Sequence, residues 1–140
     1  MATAEDIQKA FWGAYREAER HGVQDPLKTL HAYATAWLAW LGYDEPARPD
    51  IISGYRSPVH QVALLKRWLE GDRVGIKYRP ATRSWHMAGL AIDVETGVRG
   101  YPAYESIMRY MGARVGADWG DPGHFDTPIP GKEPPEIRVT

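Results

Sequence analysis

The chain has 140 residues, 17 basic against 18 acidic, and a formal net charge of −1. That length suits one domain with its own core, and the charge balance, with no dense basic stripe, excludes a nucleic-acid footprint. There is no cysteine, so disulfides and thiolate metal sites are excluded, and any transition metal must be held by imidazole and carboxylate.

Thr3 followed by Asp6 marks a helix start, with Thr3 as cap. Ile7, Ala10, Phe11, Ala14 and Ala18 recur at helical spacing until Gly22 stops the run. This segment lacks the basic start and apolar run of a signal peptide. Asp25 caps a second helix, with Pro26 in its first position. Leu27, Leu30, Tyr33, Ala34, Trp37, Leu38 and Leu41 form its apolar stripe, expected in the core. Together the two helices predict a helical layer over residues 1–45. Tyr43 to Asp50 is a proline-containing connector, and Ile51 to Tyr55 reads as a short strand. Ser57-Pro58 caps a third helix, with Val62, Leu65 and Leu69 inward. Gly71 to Pro80 is a loop carrying Arg73, Lys77 and Arg79. Leu90 to Val94 is a second strand, and Pro102 opens a fourth helix that ends near Tyr110. Arg114 to Ala117 and Gly123 to Asp126 are weaker strands. Residues 127–140 contain Pro128, Pro130, Pro134 and Pro135 and read as an extended, poorly packed tail. With no internal repeat and no domain boundary, the expectation is a single domain over 1–140. Its class is α+β: a small, mainly antiparallel sheet flanked by helices. No stretch is long and apolar enough to span a bilayer.

Two stretches carry chemistry. In Ser84-Trp85-His86-Met87-Ala88-Gly89-Leu90-Ala91-Ile92-Asp93, strand alternation sets Leu90, Ile92 and Val94 on one face and Ala91 and Asp93 on the other. Extended chain would hold His86 and Asp93 roughly 20 Å apart, so sharing an ion requires a bend, easiest at Gly89. In Asp118-Trp119-Gly120-Asp121-Pro122-Gly123-His124-Phe125-Asp126, Pro122 and Gly123 favour a tight turn that brings the Asp121 carboxylate near the His124 ring. Two imidazoles and one carboxylate leave a fourth position open for water, the mark of catalytic rather than structural zinc. Each stretch alone is a weak signal.

Together they match a family pattern. SWHMAGLAID resembles the S-x-H-x-x-G-x-A-x-D signature of the zinc peptidases that include D-Ala-D-Ala carboxypeptidases, vancomycin-resistance dipeptidases and phage L-Ala-D-Glu endolysins. DPGHFD resembles their closing acid-x-x-His motif, and SGYRSPVHQVALL their SGYRS segment, in the same order between Ile52 and Asp126. The resemblance implies a Hedgehog/DD-peptidase-like fold. It implies Zn2+ on His86, Asp93 and His124, with Asp121 as general base and acid. Arg56 would steady a substrate carbonyl or carboxylate, and Ser84 and Gln61 would line the site. The implied substrate is a peptidoglycan stem peptide or muropeptide, met by a monomer with no nucleic-acid or membrane partner. The carboxypeptidases have Glu where this chain has Asp121, which resembles the L-Ala-D-Glu endopeptidase branch. The alternatives are a D-Ala-D-Ala carboxypeptidase or dipeptidase, or a non-catalytic zinc-containing binding module of the same fold. Without a signal peptide the expected setting is cytoplasmic synthesis, with wall action after a phage-lysin-like release.

Beside these, His21, His31 and His60 read as surface or packing residues. Asp118 and Asp126 read equally as turn residues or as acceptors for a ligand imidazole. Trp85 and Trp119 read equally as cleft walls or core, and Arg56, outside the family context, as half of a structural ion pair.

Overall fold

The computed structural model describes residues 2–76 and 78–137. Thr3 closes a capping box: its hydroxyl accepts from the Asp6 N–H (3.1 Å), and the Asp6 carboxylate accepts from the Thr3 N–H (2.9 Å). Helix α1 (Ala4–Arg20) follows and buries Ala10, Ala14 and Ala18. Helix α2 (Leu27–Trp40) starts one residue later than expected, with Pro26 at its cap position. Asp25 still serves its first turn, accepting from the Thr29 N–H at 3.2 Å. This helix is apolar on every side, so periodicity alone overstates its buried stripe. Leu27, Ala34 and Leu38 enter the core, whereas Tyr33, Trp37 and Leu41, expected there, lie on the outer face.

The remaining elements are β1 (Ile51–Ser53), α3 (Pro58–Leu69), β2 (Ala91–Val94), α4 (Tyr101–Tyr110), β3 (Arg114–Val115) and β4 (His124–Asp126). Short 3-10 turns cover Trp85–Ala88 and Gly116–Trp119. The Ser57 hydroxyl caps α3 through the His60 N–H (3.1 Å). Leu65 is buried, but Leu69, at the helix end, is exposed rather than inward.

The strands form one antiparallel sheet in the order β1-β2-β4-β3. The protein is therefore α+β, four helices with a small antiparallel sheet. One sheet face carries Ile51, Ile92, Val94, Val115 and Phe125, which pack with Ala18, Leu27, Leu38, Tyr104 and Met108 from α1, α2 and α4. The other face carries Asp93, His124 and Asp126 and is left open to a cleft.

His31, expected as a surface or packing residue, is packed: it is fully buried and lies between Glu17 and Tyr104. The carboxylate can only accept, so His31 Nε2–H donates to Glu17 (2.8 Å) and Nδ1 accepts from the Tyr104 hydroxyl (2.7 Å). The second Glu17 oxygen accepts from the Ile51 N–H (3.1 Å), joining α1, α2, α4 and β1. Burial pushes the Glu17 carboxyl up, but the hydrogen bonds from His31 and the Ile51 N–H hold the group low. The segment after Asp126, expected to be poorly packed, is well attached. Ile137 is buried against Leu65 and Met87, and backbone hydrogen bonds run from Thr127 to Leu90, from Ser84 to Pro135 and from Ile137 to Thr82. No helix among the described residues is long and apolar enough to cross a membrane.

Tyr104→Phe removes one hydroxyl and leaves the buried His31 Nδ1 without a donor. It is expected to lower unfolding free energy by about 1–3 kcal/mol, read from the urea midpoint. An unaltered midpoint would show that the relay contributes nothing net.

Candidate metal centre

The sheet register brings the two motifs together. Asp93 on β2 and His124 on β4 are direct cross-strand partners, and alternation points both to the cleft face. His86 arrives from the 3-10 turn. The Ser84 hydroxyl caps that turn by accepting from the His86 N–H (3.1 Å). Gly89 closes it at φ 72°, where a Cβ would sit 2.8 Å from the Gly22 carbonyl oxygen, so this is the bend the sequence requires. His86 Nδ1–H donates to the Gly54 carbonyl (2.8 Å). That leaves Nε2 facing Asp93 Oδ2 at 3.3 Å.

His124 presents its other nitrogen. Nδ1 lies 3.3 Å from Asp93 Oδ1, while Nε2 lies 2.7 Å from Asp126 Oδ2. The two imidazole–carboxylate separations, both 3.3 Å, run to different oxygens of Asp93, Oδ2 from His86 and Oδ1 from His124. They are long for charge-assisted hydrogen bonds, which centre on about 2.7–2.9 Å. His86, Asp93 and His124 form the one set of three or more such side chains found among the described residues, with ligand atoms within 4.8 Å of one another. The donor set therefore fits a zinc ion with an open fourth position.

Asp121 reaches the same place through the turn. Its N–H donates to the Gly116 carbonyl (2.9 Å), and its carboxylate lies 3.8 Å from His124 Nδ1. Gly116 permits this approach: a Cβ there would meet the Asp121 carbonyl oxygen at 2.3 Å. Arg56 is more occupied than expected. It donates to Ser53 Oγ from Nε (3.3 Å) and Nη2 (3.0 Å), to Gln61 Oε1 from Nη1 (3.3 Å) and to Asp93 Oδ2 from Nη2 (3.2 Å). Gln61 is buried and anchored to the Ala81 carbonyl (2.8 Å). Gln61 and Ser84 border the cleft, yet each orients a neighbour, Arg56 in one case and His86 in the other.

The cleft measures about 1100 Å³ and is bordered by Arg56, His86, Asp93, Trp119, Asp121 and His124. A second groove, about 730 Å³, lies along α1 and the 42–50 connector and holds none of these residues. Ile76, Tyr78 and Arg79 from the basic loop wall the main cleft. Arg73 does not; it stacks on Trp68 (3.7 Å). Lys77 lies outside the described residues. Asp118 pairs with Arg109 (2.8 Å) away from the site, and Trp85 is buried. Trp119 is half exposed, 5.7 Å from the His124 ring.

Asp126 resolves as an acceptor for His124, and its partner Arg114 carried no sequence signal. The Gly54 carbonyl and Ser53 hydroxyl were equally unforeseen, because backbone acceptors and short polar side chains have no motif of their own.

Electrostatics follow from this packing. Burial raises the Asp93 carboxyl, but hydrogen bonds from His124 and His86 outweigh it and hold the group ionised well below the usual carboxylate range. Burial opposes charge on His124, yet hydrogen bonds to Asp126 and Asp93 prevail and push it up to about 9.

No known family model matches the sequence, and no curated protein matches it. Among solved structures, the crystal structure of the Serratia marcescens L-Ala D-Glu endopeptidase ChiX is similar, at 16% identity. The match covers 91% of this chain and 90% of that one, with a TM-score of 0.42. The site geometry stands on this chain's own residues.

Elemental analysis is expected to find one zinc per chain. His86→Ala, Asp93→Ala and His124→Ala should each lower that content, and chelation should lower the melting temperature. Full retention in all three variants would refute the centre. A raised His124 pKa means that a proton bound at neutral pH must leave before zinc binds. Apparent affinity should therefore rise with pH, about tenfold per unit below the His124 pKa, measured by competition with a chromophoric chelator.

Proposed function

We propose that this protein is a zinc peptidase that hydrolyses peptidoglycan stem peptides, cutting between L-Ala and D-Glu. The observation that carries the proposal is the convergence of His86, Asp93 and His124 in one cleft, with the Asp121 carboxylate 3.8 Å from His124 Nδ1. The ordered resemblance of the three sequence motifs to the zinc peptidases supports the same reading.

A zinc ion held by His86, Asp93 and His124 would polarise the amide carbonyl and lower the pKa of a water toward roughly 7. Asp121 takes the proton of the attacking water and returns it to the leaving amine. Its side chain is partly exposed at the cleft, so it can reach both. Arg56 has five N–H groups, and its contacts use one on Nε, one on Nη1 and both on Nη2. The remaining Nη1–H is available to a substrate carbonyl or carboxylate. Arg56 also donates to Asp93 Oδ2, the oxygen that faces His86.

Asp121, in place of the carboxypeptidases' Glu, favours the endopeptidase. So does the cleft, slightly above the roughly 300–1,000 Å³ typical of small-molecule sites, which gives room for chain on both sides of a scissile bond. Arg79 on its wall offers a cation for the D-Glu carboxylate. The protein acts as a monomer, on wall or soluble muropeptides, once released.

Asp121→Asn should retain zinc and lose about a hundredfold or more in kcat. If it stays active with zinc bound, the base lies elsewhere. Two synthetic peptides test specificity. One has an internal L-Ala-D-Glu bond and no terminal D-Ala-D-Ala; the other ends in D-Ala-D-Ala with its L-Ala-D-Glu amide methylated. Cleavage of the first alone is expected. Release of D-Ala from the second alone would assign a carboxypeptidase, and zinc binding without cleavage of either peptide or a muropeptide mixture would assign a binding module.

A further inference from the structure

We infer that Asp126 and Arg114 are positioning residues that act through His124, fixing it as a Nδ1 metal ligand. The inference rests on the zinc reading above and goes beyond it.

On β4, His124 and Asp126 lie two residues apart and so share the cleft face. Opposite Asp126, β2 presents Ala91, which leaves the carboxylate room, and β3 presents Arg114. The Asp126 side chain is only 2% exposed, and every contact of its oxygens is charge-assisted. Arg114 Nε donates to Oδ1 at 2.6 Å and Nη2 to Oδ2 at 2.9 Å, a two-pronged fork. Oδ2 also faces His124 Nε2 at 2.7 Å.

A carboxylate gripped by a guanidinium accepts and does not donate. The hydrogen in the His124–Asp126 contact therefore belongs to Nε2. When the imidazole is neutral, its lone pair is on Nδ1, the nitrogen that faces Asp93 and the cleft. His86 does the reverse, with Nδ1–H held by the Gly54 carbonyl and Nε2 presented. The two rings thus offer opposite nitrogens, each because of its partner on the far side. Such partners set ring orientation and ligand basicity in metal sites.

A purely structural reading of the ion pair is less economical. Backbone pairing already joins β3 to β4, and a buried ion pair is often no more stabilising than apolar side chains of equal volume. Arg114 has a further task in balancing the Asp126 charge. Its guanidinium also lies 5.0 Å from the Trp119 ring, which in turn stands against His124.

The test measures zinc affinity by chelator competition in the whole protein, with Asp126→Asn and Arg114→Gln. Asp126→Asn should raise the zinc Kd about 10–100-fold, and Arg114→Gln by about tenfold. Melting curves of the zinc-free proteins check that the variants fold. A long-range ¹H–¹⁵N correlation spectrum of the zinc-loaded wild type should show His124 protonated at Nε2 and bound through Nδ1, which needs no variant to fold. Coordination through Nε2, or both variants within twofold of wild-type affinity, overturns the inference. Unchanged variants in a wild type that binds zinc and cleaves peptide would sink this inference alone. A wild type that binds no zinc would sink the metal centre with it.

Discussion

The register of β2 against β4 is the constraint on which the site depends. It sets Asp93 opposite His124 and Ile92 opposite Phe125. A slip of one residue would turn His124 and Asp126 into the apolar layer and Phe125 into the cleft. The cost of such a slip is set on the helix side of the sheet. There Phe125 and Ile92 are fully buried, and the Phe125 ring meets Tyr104 edge to face at 5.2 Å. The geometry of three polar groups on one face is thus maintained by apolar packing on the other.

That arrangement explains why the site tolerates so much polarity in little space. The imidazoles and carboxylate at the centre have dedicated partners. Gly54 takes one hydrogen of His86, Asp126 takes one of His124, Arg56 supports Asp93, and Gln61 steadies Arg56. In a medium of low dielectric an unpartnered member would be costly, and a fully partnered set is rigid. The SGYRS segment does two jobs through residues two positions apart. Gly54 orients His86 by its carbonyl, and Arg56 reaches Asp93 by its side chain while its N–H meets the His86 carbonyl oxygen.

What was legible in the sequence was what local chemistry decides. The capping box at Thr3, the cap at Ser57, the bend at Gly89 and the turn at Pro122-Gly123 each follow from residues within a few positions. Alternation on β2 correctly separated Ile92 from Asp93. The sequence could not disclose contacts between distant segments. His31 meets Tyr104 across 73 positions, and Arg114 meets Asp126 only because β3 pairs with β4. The outward aromatic face of α2 was misread because a helix apolar on all sides has no periodicity from which to choose a face. The tail was misread because four prolines predict extension but say nothing of docking, and Ile137 docks.

The cleft divides by rigidity. The proposed ligands come from the sheet and from a capped turn hydrogen-bonded to β1's exit, so their positions follow from backbone pairing. Its walls come largely from loops, among them residues 75, 76 and 78–80, the Trp119 turn and Pro128, Lys132, Glu133 and Pro134, with His60, Gln61 and Leu64 of α3 beside them. Asp121 stands between the two classes, on a turn but held by Gly116 and adjacent to β4. The proton-transfer role proposed for Asp121 is compatible with that intermediate attachment. Chemistry placed on paired strands and substrate contacts placed on loops can vary separately. On the proposed function, substrate preference is therefore to be sought in Arg79, Trp119 and the segment after Asp126, and not in the residues that would hold the metal.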